Sequence, residues 1–214
     1  MSDSQRLIPW LALTLLTVVG IAGAVLGLTG APKQAGLDAA VHNTLSAPNY
    51  TSLLQATGQT PQTQSLTWES PNKLGGWVDT GGRRFYVYVL GSTEYQSSAV
   101  AVTTKDSDLT YLRGTSQPAA SYDPVQGYLP YAERATHVTQ HGNSYSFPVT
   151  QEGQTAEFTV TVSGQYVSQL KLVATGTAVD LSIGSVGTAP PVTLPSGAKI
   201  KAASTSSSAS SSAG

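Results

Sequence analysis

Residues 155–184 read TAEFTVTVSGQYVSQLKLVATGTAVDLSIG, and this stretch decides the fold class of the chain. Glycine-containing turns divide it into three runs, and apolar and polar residues alternate within each run. Phe158 and Val160 therefore share one side of their run, and Thr159 and Thr161 share the other. A period of two with such short connections predicts antiparallel strands that form a sheet with one apolar face and one wetted face.

The chain before residue 155 continues this strand pattern. Further strand-like runs cover residues 50–57, 64–70, 75–91, 97–104, 109–114 and 144–149. The run over 75–91 holds two strands around Gly81-Gly82, a pair that suits a tight turn. The sequence thus predicts about ten strands, and an open sheet of that length tends to curl.

Two segments have a helical rather than a strand-like pattern. Residues 37–46 carry Leu37, Val41 and Leu45 at helical spacing, and residues 123–135 follow an Asp-Pro turn in the middle of the strands. The apolar face of the sheet needs a cover, and these helices are available for it. The predicted fold class is α+β and mainly β: a curved antiparallel sheet, an unclosed half-barrel, packed on about two short helices and preceded by one transmembrane helix.

The transmembrane prediction comes from residues 7–32, which contain no charged side chain. A helix of this length spans the roughly 30 Å hydrocarbon core of a bilayer. Arg6 precedes the segment and favours a cytoplasmic N-terminus. A cleaved signal peptide ending near Ala22-Gly23-Ala24 is the alternative. The predicted organisation is a cytoplasmic N-terminus (1–6), a transmembrane signal anchor (7–31), a linker (32–36), an extracytoplasmic domain (37–196) and a disordered Ser/Ala-rich tail (197–214). The predicted location is therefore the cell membrane, as a single-pass protein with the C-terminal domain outside.

Composition and motifs argue against several classes of function. The chain has no cysteine, so disulfides, thiol catalysis and zinc–thiolate sites are excluded. Its formal net charge of −1 provides no field that would attract nucleic acid. No Gly-x-Ser-x-Gly elbow or phosphate-binding loop occurs, and His137 and His141 flank a turn rather than sharing a helix. We therefore expect no enzyme activity, no cofactor and no metal.

The order of these elements resembles a known family. One helix, a run of strands, the segment DPVQGYLPYAERATHVTQHGNSYSF and three closing strands are similar to the LolA-like extracytoplasmic lipid carriers, and most of all to the LppX/LprG group of actinobacteria. The resemblance covers residues 35–196 and is carried by Leu129, Tyr131, Gly142, Tyr145, Gly187, Val192 and Pro195. It implies an unclosed barrel packed on helices, with an apolar cavity that holds acyl chains in lipid or lipoprotein trafficking. Other proteins with this fold sense envelope stress. Those actinobacterial relatives are anchored by an acylated cysteine, which this chain lacks.

Two functions follow as expectations. The first is a membrane-anchored binding protein that holds an acyl chain or lipid in the half-barrel. The second is an envelope sensor or scaffold domain that binds a protein partner without lipid transfer. The predicted apolar cavity residues are Leu54, Leu66, Trp68, Trp77, Phe85, Val87, Val89, Leu129, Phe158, Val160, Leu170, Leu172 and Leu181.

Overall fold

The computed structural model describes residues 35–58, 60–69, 72–151 and 153–202. Within these ranges the chain forms one mainly-β unit, an unclosed curved sheet with short helices on one face, as the alternation predicts. No helix in the described ranges is long and apolar enough to cross a membrane. The transmembrane helix predicted over residues 7–31 lies outside them.

The described strands number thirteen rather than about ten. They are β1 (Asn49–Thr57), β2 (Gln62–Glu69), β3 (Lys73–Thr80), β4 (Arg83–Leu90), β5 (Thr93–Ser97), β6 (Val100–Ala101), β7 (Thr110–Thr115), β8 (Thr139–His141), β9 (Ser144–Gln151), β10 (Gln154–Ser163), β11 (Tyr166–Ala174), β12 (Thr177–Gly184) and β13 (Lys199–Ala202). Their order in the sheet is β13-β7-β5-β4-β3-β2-β1-β12-β11-β10-β9-β8, with β6 paired to β4. All pairs are antiparallel except β13 with β7.

The strands of residues 155–184 pair as their alternation requires. Phe158 of β10 lies opposite Leu172 of β11, and Leu170 of β11 lies opposite Leu181 of β12. These apolar side chains form one face of the sheet, which we call the inner face because the helices pack on it. The polar residues between them form the outer face. The predicted assignment of the two faces is thus confirmed in this part of the sheet.

Three short helices cover the inner face: α1 (Ala35–Leu45), α2 (Pro124–Tyr128) and α3 (Pro130–Glu133). The single helix predicted over 123–135 is therefore divided, because Pro130 has no N–H with which to continue the ladder of α2. Asp123 is the N-cap of α2, and its side chain accepts a hydrogen bond from the backbone N of Val125. Pro124 follows it in the first turn, where a proline is tolerated.

A buried hydroxyl joins α1 to the sheet. Thr44 Oγ1 donates to the carbonyl of Ala40, at 2.7 Å, and accepts from the backbone N of Val167 in β11, at 2.9 Å. The Thr44 side chain is completely buried, as are the neighbouring apolar residues Leu37 and Val41. This hydrogen bond fixes the position of α1 along β11, because no water can replace it there.

The C-terminal part of the chain does not end at the last predicted strand. Residues 185–198, which we call the strap, cross the outer face after β12 and lead into β13. Val192 N donates to Glu69 Oε2 at 2.9 Å, and Gly187 N donates to the Asn49 carbonyl at 2.9 Å. The tail predicted from residue 197 thus begins with an edge strand. The sequence pattern of β13 is one apolar residue, Ile200, between two lysines. This pattern is too short to be distinguished from the Ser/Ala-rich sequence that follows.

The strap covers a second apolar cluster on the outer face. Its buried members are Tyr86, Tyr88, Leu109, Tyr111 and Val192. The outer face is therefore wetted over β9–β12 but buried over part of β3, β4 and β7. Apolar residues on both faces of β4 follow from this arrangement, since each face has its own cover.

Candidate ligand-binding site

Eleven of the thirteen predicted cavity residues lie in one buried cluster between the inner face and the helices. They are Leu54, Leu66, Trp68, Val87, Val89, Leu129, Phe158, Val160, Leu170, Leu172 and Leu181. Phe85 is only partly buried and lies outside this cluster. Trp77 lies on the other side of the sheet, packed against the outer cluster, because it alternates with the inward-facing Val78.

At the centre of the inner face, the space below the helices is filled by the protein's own side chains. A void wide enough for a water molecule would leave accessible surface on the side chains around it. Leu129 and Leu170 have 0% of their surface exposed, and Phe158 has 1%. The rings of Phe147 and Phe158 stack with their centroids 5.6 Å apart, and Tyr131 lies against Phe158 at the same distance. An acyl chain therefore has no room at this position unless the helices move.

A buried polar cluster holds α2 against the sheet. Asp123 is completely buried, and its second carboxylate oxygen accepts a hydrogen bond from the Tyr50 hydroxyl of β1. Gln126 Nε2 donates to the Tyr50 oxygen at 3.1 Å. Burial raises the pKa of Asp123 to about 6, although its hydrogen bonds oppose the shift. Burial, reinforced by the Asp123 carboxylate, also raises the pKa of Tyr50. These three side chains are the main polar contact between α2 and β1.

Trp68 adds an unpaired donor beside this polar cluster. Its ring stacks against the ring of Tyr50, with centroids 6.1 Å apart. Its indole Nε1 is buried and has no hydrogen-bond partner among the described residues. An unsatisfied buried N–H costs about 1–3 kcal/mol, so its presence in the core requires an explanation.

The outer face carries two neighbouring depressions beside the strap. The first has a volume of about 280 Å³ and is lined by β2, β3, β4, the strap and Asp106. The second has a volume of about 250 Å³ and lies over β12, β1 and β2. Ser65 lines both of them, so the two depressions adjoin, and we call the pair the outer groove. The sequence pattern did not indicate this groove, because it depends on a strap that returns from more than 100 residues away.

Gly75 permits the strap to approach the sheet. A Cβ atom added there would lie 2.6 Å from Cδ1 of Tyr88 and 2.9 Å from Cγ1 of Val192. We expect Gly75→Ala to lower the free energy of unfolding by about 1–3 kcal/mol, since overpacking forces these buried groups apart. Urea unfolding measures this loss, and faster proteolysis within residues 185–198 reports release of the strap. Gly114→Ala is the matched control, because its Cβ would meet nothing within 4 Å in β7. An equal effect of both substitutions would contradict the contact.

No groups of three or more metal-binding side chains occur in the described ranges. Glu94 of β5 is a partly buried acid opposite Val89, on the side of the sheet that carries the inner cluster, and burial raises its pKa. It accepts a hydrogen bond from the Tyr122 hydroxyl at 2.9 Å, and burial together with this carboxylate raises the pKa of Tyr122 to about 12. This pair joins β5 to the segment before α2 and serves to position that segment.

Comparison with known proteins identifies the fold. No model of a known protein family matches the chain, and no curated protein matches its sequence. LprF from Mycobacterium bovis matches in structure with a TM-score of 0.54 at 14% identity, over 79% of this chain and 99% of LprF. The lipoprotein LppX from Mycobacterium tuberculosis gives a TM-score of 0.45 at 9% identity, over 75% of this chain and 99% of LppX. An uncharacterized conserved protein from Thermus thermophilus gives 0.43 at 8% identity, over 79% and 98%.

The match with LprF confirms the fold that the sequence resemblance implies. It covers nearly all of LprF, so the whole of that fold is present here. The expected LppX/LprG-like architecture, an unclosed sheet around short helices, is therefore the architecture of residues 35–202 in its described parts. At this level of identity the likeness concerns the fold.

Proposed function

We propose that this chain is an extracytoplasmic binding protein that takes a hydrophobic guest, an acyl chain or lipid, between its helices and the inner face of its sheet, without catalysing a reaction. One observation carries the proposal: the large apolar inner face is covered by helices of only 11, 5 and 4 residues. Such short helices are marginal by themselves and depend on tertiary packing. The fold shared with LprF and the resemblance to lipid carriers support the same function.

The filled interior determines how a guest would enter. The helices must separate from the inner face, and the acyl chain then replaces the apolar contacts that the sheet loses, at about 25 cal/mol per Å² of buried apolar surface. Trp68 Nε1 would gain its missing acceptor from an ester or carboxyl oxygen of the guest. The cavity residues predicted from the sequence, other than Trp77, would become the wall of this opened site.

The proposed location places this domain outside the membrane. The uncharged segment over residues 7–31 would act as a transmembrane anchor, since no cysteine is available for acylation. A domain held in this way would receive or pass on lipids at one membrane rather than diffuse between two. Protease protection of tagged N- and C-termini in intact cells tests this orientation.

The filled interior also favours a second function, a sensor or scaffold domain that binds a protein of the cell envelope. Strand β13 forms one edge of the sheet, and its Ile200 side chain is 50% exposed. A partner could add a strand to this edge. Crosslinking from a photoreactive residue at position 200 in intact cells would identify that partner. If the protein is a lipid carrier without a partner at this edge, the same experiment gives no crosslinked protein.

A substitution of Thr44 tests whether the guest can enter only when helix α1 moves away from the sheet. Thr44→Val leaves the buried N–H of Val167 without an acceptor, which costs about 1–3 kcal/mol and makes separation of α1 easier. We expect lower stability but roughly tenfold tighter binding of cis-parinaric acid, because a larger fraction of the protein is binding-competent. Fluorescence titration of the full chain in amphipol measures the affinity.

The matched control for this experiment is Asn43→Ala. Asn43 lies on the same helix, and its side chain makes an exposed hydrogen bond to the Gln165 carbonyl at 3.1 Å. It should leave the affinity within about twofold of the unaltered chain, since exposed hydrogen bonds contribute little net free energy. Native mass spectrometry of the chain purified from its own membrane should also show lipid adducts. Two results together would exclude the interior as a lipid site: protein without lipid adducts in native mass spectrometry, and equal affinities of Thr44→Val and Asn43→Ala for cis-parinaric acid.

A further inference from the structure

The outer groove has a lining that the proposed lipid site does not use. Its first depression brings together three aromatic side chains, one carboxylate and several hydroxyls on the face opposite the helices. The residues that matter are Trp77, Tyr86, Tyr88, Asp106, Thr67 and Thr193. We propose that the outer groove is a binding site for an uncharged oligosaccharide.

The aromatic part of the lining is held in a fixed orientation. The Arg84 guanidinium lies 3.8 Å above the centroid of the Trp77 ring and is held there by Asp79, with nitrogen–oxygen distances of 2.6 and 2.8 Å. Tyr88 packs edge-on against Tyr111, with centroids 5.7 Å apart. The rings of Tyr86 and Tyr88 are buried, so they contribute mainly their hydroxyl groups, whereas Trp77 is partly exposed beside Arg84. One partly exposed ring among hydroxyl groups suits a ligand that has both apolar C–H faces and hydroxyl groups, as sugar rings do.

The polar part of the lining retains capacity for hydrogen bonds. The Tyr88 hydroxyl donates to Asp106 Oδ2 at 3.2 Å, and the Tyr86 hydroxyl donates to the Thr104 carbonyl at 3.1 Å. Both phenol oxygens can therefore still accept. The hydroxyls of Ser65 and Thr67 make no hydrogen bond to other described residues. The depression thus offers both donors and acceptors, which matches the bidirectional hydrogen bonding of sugar hydroxyls.

Charge selects against anionic ligands. Asp106 is the single ionisable acid or base in the lining of the two depressions as described, apart from the tyrosines. The nearby Arg84 is already paired with Asp79. A phosphate or carboxylate would therefore meet a carboxylate without a free cation, which is unfavourable. An uncharged glycan avoids this repulsion and can donate its hydroxyls to Asp106.

The shape of the outer groove favours an extended chain of sugars over a peptide. The two depressions together reach across β12, β1, β2, β3 and β4, about 19 Å at a strand spacing of ~4.8 Å. These strands are internal, so their backbone groups are already paired with neighbouring strands. A peptide that binds by strand addition finds no free edge here. Side-chain hydroxyls and part of the Trp77 ring remain exposed, and these are groups that a glycan uses.

A paired substitution on β2 tests the proposal. Ser65→Tyr fills the point where the two depressions meet, whereas Thr63→Tyr places the same ring on the same face two residues away, outside the lining. Isothermal titration of the full chain should use chitohexaose, cellohexaose, maltohexaose and mannohexaose as probes. We expect at least one probe to bind with a Kd of about 1 mM or tighter, a loss of tenfold or more in Ser65→Tyr, and a change within about twofold in Thr63→Tyr.

A second variant keeps the test informative if Ser65→Tyr folds poorly. Asp106→Asn preserves the size of the side chain and its acceptor for the Ser107 N–H, and should weaken binding by about fivefold, the loss of one charge-assisted hydrogen bond. Near-ultraviolet circular dichroism of each variant reports its fold. Absence of binding by all four hexasaccharides would overturn the proposal. So would equal affinities of folded Ser65→Tyr and Thr63→Tyr, or displacement of the bound sugar by an unstructured peptide at the same groove.

Discussion

Phe158→Ala should lower the free energy of unfolding by about 3–5 kcal/mol. Phe158 is 1% exposed and lies between the rings of Phe147 and Tyr131 on the inner face. Its loss removes the apolar burial of a whole ring and leaves a cavity, because the antiparallel ladder on both sides prevents β10 from collapsing inward. Urea unfolding followed by circular dichroism measures the change.

The size of this effect also describes the interior in solution. If the helices stood away from the inner face, the ring would already be partly hydrated and its removal would cost less than about 1.5 kcal/mol. Val173→Ala is the matched control on β11, where the side chain points outward and is 58% exposed. That substitution should change the stability by no more than about 0.5 kcal/mol. A small loss for Phe158→Ala would therefore contradict the filled interior and indicate a site that is already open.

The stability of the domain should increase as the pH falls from 7 to 4, and Asp123 should account for much of that increase. Its pKa in the folded protein is raised by burial to about 6, above the usual value of 3.8. The folded state therefore binds this proton more tightly than the unfolded state. The penalty for the buried charge is complete above pH 6 and disappears as the pH falls towards 4, which corresponds to roughly 3 kcal/mol.

Asp123→Asn isolates this contribution. The variant cannot titrate at this position, so its stability should change by less over pH 4–7 than that of the unaltered chain, by roughly 3 kcal/mol. Glu94, whose pKa burial also raises, contributes in the same direction to both proteins and cancels in the difference. Asp180→Asn is the matched control, since Asp180 lies on the outer face near Lys171 with its side chain 38% exposed. If the stability of Asp123→Asn changes with pH in parallel with that of the unaltered chain, the buried carboxylate is not the titrating group.

The strand pattern was predictable because burial on the inner face is periodic along each strand. Phe158, Leu170 and Leu181 come from strands whose opposite side is polar, so alternation alone assigns their faces. Trp77 was assigned wrongly, since Trp77 and Val78 are both apolar and both sides of β3 are covered. The cover on its side is the strap, and a contact between Gly75 and Val192 leaves no local trace in the sequence.

The candidate sites were less predictable than the fold. The Asp-Pro turn indicated the start of α2, but its buried partner Tyr50 lies 73 residues away in sequence. The filled interior could not be foreseen by counting apolar residues on the helices, because Tyr50, Trp68 and Phe147 occupy volume from the sheet side. The hydroxyls of the outer groove looked like ordinary solvent-facing strand residues until the strap gave them a wall.

The chain joins the domain near one rim of the sheet and leaves it at the other. Gly36, at the start of α1, lies beside Tyr145 of β9, whereas Ala202 ends β13, ten strand positions along the sheet. At ~4.8 Å per strand this is a path of roughly 48 Å around the curve. Whatever precedes residue 35 and whatever follows residue 202 are therefore attached to different strands of the sheet, ten strand positions apart along its curve.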